Sequence, residues 1–242
     1  MGSGKYGALS GAISRMQMLE NINRNLANSQ TSAYKKGVAV FEAQLDEARA
    51  TRDKLPTNYA LVGKEEIDFS PGQLNRTGDP THLAINGDGF FRIRLDNGDL
   101  AYSRRGSFHR TQDGELIDEN GARLLGTGDA PVTLPPGDFS LSTDGSIFVD
   151  GQLNGSIPLY RFEDTSGLRR GQDGCFLAGA DAVVSRVENG EIMQGYLEGS
   201  NINIMQEMGR MVYTQRVFEA AQKALLAYDE MDRKLAELGN VQ

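Results

Sequence analysis

The chain has 242 residues and a formal net charge of −8, with 33 acidic against 25 basic residues. A nucleic-acid partner is not expected, because such binding needs clustered basic side chains that neutralise phosphates. The single cysteine excludes an internal disulfide framework and supplies too few thiols for a cysteine-based metal site.

No apolar run approaches the roughly 18 residues that a membrane span requires, so we expect no transmembrane segment. The N-terminus has no apolar stretch of the secretory type, so we also expect no cleaved signal peptide. A chain of this kind either stays in the cytosol or leaves it by a route that reads another signal.

The first predicted element is an amphipathic helix over residues 5–28. Its apolar positions recur at helical spacing and include Leu9, Ile13, Met16, Ile22 and Leu26. Asparagine, serine and threonine side chains over residues 28–32 compete for backbone hydrogen bonds and should end this helix. A second, shorter helical stretch is predicted over residues 37–53.

Residues 65–195 change to short strands and tight turns, which predict an antiparallel β body such as a sandwich or an open barrel. Asp-Gly and Asn-Gly pairs favour type I′ hairpin turns because both residues tolerate positive φ. Seven such pairs occur, at residues 97–98, 113–114, 120–121, 144–145, 150–151, 173–174 and 189–190.

A long helix is predicted over residues 203–238, which would span about 50 Å at 1.5 Å per residue. Gly209 lies inside it and suggests packing or a close approach there, because glycine weakens a helix relative to alanine. One face repeats with the spacing of a heptad seam, at Ile204, Met208, Met211, Gln215, Phe218, Gln222 and Leu225.

A heptad seam needs a helical partner, and the chain offers one at its other end. We therefore predict an α+β fold in which an antiparallel β body is inserted between N- and C-terminal helices that pair as a coiled-coil-like rod. The expected domains are a discontinuous helical domain (1–36 and 201–242), a helical or extended connector (37–64) and the β body (65–200). The alternative is that each helix packs on the sheet.

No residues nominate an enzyme, a cofactor site, a metal site or a small-molecule substrate. The Gly-Lys at residues 4–5 lacks the spacing, the following Ser or Thr and the preceding strand of a phosphate-binding loop. His82 and His109 have no ligand partner at helical spacing. Cys175 is best interpreted as a small buried hydrophobe, because nothing nominates a base that would activate it.

The stretch "NINRNLANSQTSAYKK" resembles the N-terminal signature of the flagellar axial proteins, the rod and hook family. Three further blocks resemble that family in the same order, at residues 72–93, 102–126 and 195–225. Arg24 departs from the usual asparagine, and Ala33 replaces a common glycine, which argues against a positive φ at that position. The matching signature positions are Asn25, Leu26, Ala27, Asn28, Thr31, Tyr34, Lys35 and Lys36.

The resemblance implies a structural subunit whose terminal helices form an inner tube around an export channel, with the β body outside. It also implies export by the flagellar type III apparatus, a place in the rod across the periplasm, and other copies and other rod proteins as partners. Length and the phrase "LEGSN" at residues 197–201 favour a proximal-rod protein over a distal-rod one.

Residues 25–36, here called the elbow, would let the chain leave the tube and enter the body; the alternative is an ordinary helix cap and loop. Two other classes stay open: an assembly scaffold or chaperone that binds helices transiently, and a β-domain enzyme or glycan binder on a helical stalk. Subunits offset along a helix would meet through the apolar side chains of both helices. The predicted assembly interface is Leu9, Ile13, Met16, Leu26, Ile204, Met208, Met211, Phe218 and Leu225.

Overall fold

A computed structural model describes residues 2–45, 58–171, 174–179, 182–188 and 190–239. The chain divides into two units, each described here by itself. The helical unit combines Met1–Ser29, Lys36–Asp68 and Ile202–Gln242, and the body unit combines Gln30–Lys35 and Phe69–Asn201.

Both predicted terminal helices are confirmed, as α1 (Gly2–Ala27) and α2 (Ile204–Gly239). Asn203 caps α2, because its Oδ1 accepts a hydrogen bond from the Gln206 amide at 3.1 Å. At the end of α1, Asn28 Nδ2 donates to the Arg24 carbonyl at 2.8 Å, so the polar residues end the helix as expected.

The helix predicted over residues 37–53 is wrong over the part that the structure describes. Gly37–Leu45 form strand β1, which pairs antiparallel with β2 (Asn58–Ile67) across a bulge between Val40 and Phe41. Residues 46–53 lie outside the described residues. This pairing joins segments about twenty residues apart, which a local hydrophobic pattern does not reveal.

The body unit is built from antiparallel strands, as predicted, and every ladder among its described residues is antiparallel. Its strands are β3 (Leu74–Arg76), β4 (Leu83–Asn86), β5 (Phe90–Arg94), β6 (Leu100–Ser103), β7 (Phe108–Arg110), β8 (Leu116–Asp118), β9 (Arg123–Leu124), β10 (Phe139–Leu141), β11 (Ser146–Val149), β12 (Gln152–Ser156), β13 (Leu159–Phe162), β14 (Arg169–Arg170), β15 (Phe176–Leu177), β16 (Val184–Arg186), β17 (Glu191–Gln194) and β18 (Tyr196–Glu198).

The strands form one large sheet and three small ones. The large sheet has the order β14-β15-β6-β5-β9-β8-β7, and β13 joins it by pairing with β5 and β16. The small sheets are β10-β11-β12, β17-β4 and β18-β3. The last pair brings the C-terminal end of the body's chain beside its beginning.

The turn type predicted for the glycine pairs holds at only one of the described pairs. Asp150 and Gly151 both have positive φ, as a type I′ turn requires. At residues 97–98, 113–114, 120–121 and 144–145 only the glycine has positive φ. The pairs at 173–174 and 189–190 include residues outside those described.

The core of the body unit lies among β4, β5, β9 and the segments that follow them. Phe91, Leu124 and Ala101 have no measurable exposure, and Cys175 is 3% exposed within the same core. The cysteine is therefore buried among hydrophobic residues, as predicted. Among the residues that the structure describes, neither long helix is apolar enough over a sufficient length to cross a membrane.

Candidate functional site: the elbow and the paired helices

The helices α1 and α2 lie side by side and run antiparallel within the helical unit. Lys5, near the start of α1, forms an ion pair with Asp229, near the end of α2. Further along α1, Met18 Sδ lies 3.7 Å from the Thr214 hydroxyl, nearer the start of α2. The terminal segments therefore contact each other. The hydrogen bond from Lys5 lowers the pKa of the Asp229 carboxyl.

The face that α2 buries differs by a small rotation from the predicted seam. Glu207 and Thr214 are 2% and 1% exposed, whereas the predicted seam residues Gln215 and Gln222 are exposed. The seam residues Met211, Phe218 and Leu225 are half-buried. In a single chain, the side chains of the predicted seam are therefore only partly buried.

Five of the remaining six predicted interface residues are exposed. Leu9, Ile13 and Met16 of α1 are 44%, 43% and 47% exposed, and Ile204 and Met208 of α2 are 42% and 52% exposed. Leu26 is half-buried. In a single chain, α1 is buried instead through Ala12, Ser14, Asn21, Ile22 and Asn25. The outer faces of the two helices thus present apolar side chains to solvent, and we call these five exposed residues the outer stripe.

Gly209 lies on an open part of the α2 surface. A Cβ built on it meets no atom of the described residues within 4 Å. The close approach predicted there is therefore absent in the described part of the chain.

The first part of the elbow binds the beginning of β1. Asn25, 1% exposed, donates from Nδ2 to the Gly37 carbonyl at 2.9 Å and accepts from the Gly37 amide at 3.0 Å. A Cβ on Gly37 would lie 2.2 Å from Glu65 Oε1 and 2.9 Å from Asn21 Nδ2, so a larger residue would require both of these side chains to move. The signature asparagine therefore holds the backbone where the chain turns into β1.

The segment Gln30–Lys35, here called the latch, belongs to the body unit. Ala33 is buried and has a φ of 54°, and its amide donates to the Glu198 carbonyl at 2.8 Å. The argument from sequence against a positive φ at this position is therefore wrong. The hydrogen bonds around Ala33 hold a conformation that is unfavourable for an L-residue by about 1–2 kcal/mol.

Lys35 is the last residue of the latch and makes its main polar contacts with the rest of the body unit. Its side chain is fully buried. Its Nζ donates to Glu198 Oε1 at 2.6 Å and to the Ser70 carbonyl at 2.8 Å. The same carboxylate oxygen accepts from the Gly72 amide at 2.8 Å. A buried ammonium and carboxylate that satisfy each other in this way are strongly coupled, because neither has access to water.

A second cation approaches the same carboxylate. Arg104 Nη1 lies 3.6 Å from Glu198 Oε2, and both side chains are nearly fully buried. Among the described residues, neither Arg104 Nε nor Nη1 nor Glu198 Oε2 has a hydrogen-bond partner. Burial lowers the pKa of the Arg104 guanidinium, and the charges of Glu198 and Asp88 act in the opposite direction.

The remaining signature residues have supporting roles. The Tyr34 ring lies under the Arg170 guanidinium, with 4.5 Å between the ring centroid and Cζ. The carbonyl oxygen of Thr31 accepts a hydrogen bond from the Tyr34 amide. Lys36 lies 3.6 Å from buried Glu207, while Ala27 is exposed at the end of α1. Glu198, Arg104 and Gly37 were missed by sequence reasoning, because nothing in the local pattern marks them as partners of the elbow.

The chemistry of these residues is structural. Among the described residues, no group of three or more His, Cys, Asp or Glu side chains is placed to hold a metal ion. The buried Asn25 side chain binds the backbone of Gly37, and the buried Lys35 side chain binds the Glu198 carboxylate and the Ser70 carbonyl.

Two family models match the chain. The flagellar hook protein FlgE/F/G D1 domain matches residues 84–151, within the body unit, and the flagellar basal body rod FlgEFG protein C-terminal model matches residues 193–238. The second match covers β17, β18 and most of α2.

Curated relatives align along almost the whole chain. Flagellar basal-body rod protein FlgF of Rhizobium meliloti is 31% identical over 99% of both chains. FlgF of Mesorhizobium japonicum is 34% identical over 88% of both chains. Flagellar basal-body rod protein FlgG of Buchnera aphidicola subsp. Schizaphis graminum is 30% identical over 90% of this chain and 92% of the relative.

An antiparallel β body whose sequence is flanked by two terminal helices, together with the signature residues of the elbow, is typical of hook-type and rod-type axial proteins. The chain belongs to the flagellar basal-body rod protein family, whose members include FlgF and FlgG. The family matches describe hook and rod proteins and no enzyme.

Proposed function

We propose that the chain is a structural subunit of the proximal rod, similar to FlgF, which assembles through its terminal helices into a hollow tube. The tube would transmit torque and line the channel through which flagellar proteins are exported. The observation that carries this proposal is the outer stripe, because five large apolar side chains exposed on two adjacent helices favour burial between subunits. Repeated head-to-tail contacts with a helical offset extend into a filament rather than closing.

The domain roles belong to the same proposal. Residues 1–36 and 201–242 would form the tube, residues 65–200 the outer body, and the β1–β2 hairpin would accompany the helices. The interface would bury Leu26, Met211, Phe218 and Leu225 more deeply than a single chain does. Other copies and other rod proteins would be the partners, and export by the flagellar type III apparatus would bring the chain to the basal body across the periplasm.

A distal-rod subunit similar to FlgG is the second candidate. It is supported by the relatives named FlgG, which match 90% of this chain at 30–31% identity. Isolated basal bodies that carry a tagged copy of this chain distinguish the two, because the proximal proposal requires the tag at the inner-membrane end of the rod.

The proposal is tested by placing a charge on the outer stripe. Ile13→Asp and Met208→Asp should leave the isolated chain folded, because both side chains are already exposed, yet block incorporation into rods in a strain that lacks its own copy. Gln17→Asp, at an exposed polar position of α1, is the matched control. Electron cryomicroscopy of basal bodies and swimming assays measure the result. Normal rods built from both stripe variants would overturn the proposal.

A further inference from the structure

The carboxylate of Glu198 lies between two buried cations that arrive from different parts of the chain. Lys35 reaches it from the latch, and Arg104 reaches it from the residue after β6. Only Lys35 forms a short hydrogen bond, at 2.6 Å, whereas Arg104 Nη1 stays 3.6 Å away.

Arg104 is held near this carboxylate with part of its hydrogen-bonding capacity unused. Its Nε and Nη1 are buried and, among the described residues, donate no hydrogen bond, although its guanidinium lies over the Phe90 ring at 5.3 Å. A buried arginine with unused donors is unfavourable, and this cost would be relieved in a state in which Arg104 donates to Glu198. A shift of under about 1 Å would bring Nη1 within hydrogen-bond distance of Glu198 Oε2.

We propose that Glu198 exchanges its partner between Lys35 and Arg104, which makes the latch releasable without unfolding of the body unit. When the latch is bound, Lys35 neutralises the carboxylate. When the latch leaves, Arg104 closes onto the carboxylate, so that release does not leave an uncompensated buried charge. The two cations also repel each other, which lowers the barrier to release.

The consequence is a local opening: the latch can detach without lowering the stability of the rest of the body unit. Release frees the residues between α1 and β1, while β18 and the core stay folded. In a rod subunit, this exchange of partners would let the segment between α1 and β1 rearrange during incorporation. The inference concerns a single chain, so its failure would leave the proposed rod function standing.

Hydrogen exchange of the full chain tests the roles of the two cations. In Lys35→Met, the Ala33 amide should exchange about tenfold faster or more, while the Phe91 amide keeps its rate. In Arg104→Met, the Ala33 amide should exchange more slowly than in the parent chain, because release would then leave Glu198 without a cation. Arg123→Met, which breaks a part-buried ion pair with Glu115 elsewhere in the body unit, is the control and should change neither rate. Faster Ala33 exchange in Arg104→Met would overturn the proposal, because a merely structural third member of the cluster gives that result.

A double-mutant cycle on thermal unfolding provides the second readout. Each single variant keeps one cation, so Lys35→Met/Arg104→Met should lower the Tm of the body by clearly more than the sum of the two single shifts. Adding Glu198→Gln to that double variant removes the buried charge and should recover most of the lost Tm. Additive single shifts, or no recovery with Glu198→Gln, would overturn the exchange of partners.

Discussion

The body unit and the terminal helices differ in how far their large apolar side chains are exposed to solvent. The body buries most of its large hydrophobic residues, and Phe91 and Leu124 have no exposed surface, although Leu153 is 67% exposed. Met205 and Leu226 of α2 are 78% and 68% exposed. The body therefore completes its core from one chain, whereas the helices expose apolar surface, which the proposed assembly would bury.

The two regions also differ in how closely the backbone is packed. In the body, a Cβ added to Gly106 would lie 1.5 Å from the Leu83 carbonyl oxygen, which is a backbone atom and not the end of a flexible side chain. In α2, a Cβ added to Gly209 meets nothing. A substitution of the same kind should therefore have opposite effects in the two regions.

The largest expected effect is the loss of the body fold in Gly106→Ala. A clash between Cβ and backbone should cost more than about 4 kcal/mol, which is most of the stability of a marginally stable domain. Gly209→Ala is the matched control, and it should stabilise the isolated chain by about 1 kcal/mol because alanine favours helix. Circular dichroism and thermal unfolding measure both variants. A folded Gly106→Ala body with native Tm would contradict the packing contrast.

An intermediate effect is expected at the first part of the elbow. Asn25→Ala leaves the amide and carbonyl of Gly37 buried without their partner, which should cost about 2–3 kcal/mol. Hydrogen exchange at the Gly37 amide should accelerate strongly. Asn23→Ala, at an exposed position of the same helix, is the control and should have little effect. Unchanged exchange at Gly37 in Asn25→Ala would show that the asparagine does not hold this strand.

The smallest expected effect is a gain in stability at the latch. Ala33→Gly removes the strain of a left-handed alanine but makes the unfolded chain more flexible, so the net gain should be about 0.5–1 kcal/mol. Ala27→Gly, made at the last helical residue of α1, should instead lower the free energy of unfolding by about 0.5–1 kcal/mol. Chemical denaturation compares the two variants. Equal losses of stability in both would argue against strain at Ala33.

The elements with strong local patterns were predictable from the sequence. The helices follow from apolar spacing sustained over 26 and 36 residues, and the antiparallel body follows from its regularly spaced turns. Strand β1 was missed because it depends on pairing with a segment beyond residue 57. The rotation of the buried face of α2 was also missed, because Glu207 and Thr214 are polar yet lie on that face.

The elbow was recognised from its signature, but its physical basis was not. Lys35 stands in a polar phrase and is typical of a solvated residue, whereas its partner Glu198 is 163 positions away in the chain. No local period encodes a contact over that separation. The positive φ of Ala33 was missed for the same reason, since the hydrogen bonds that hold it come from β18.

The deep burial of Cys175 has a practical consequence for mapping the assembled state. The chain has one cysteine, and its side chain is packed in the body core, where reagents reach it slowly. A thiol placed at Met205 would therefore be the only rapidly reactive one. A fluorophore attached there would report, through quenching and mobility, the moment at which this surface becomes enclosed by its neighbours.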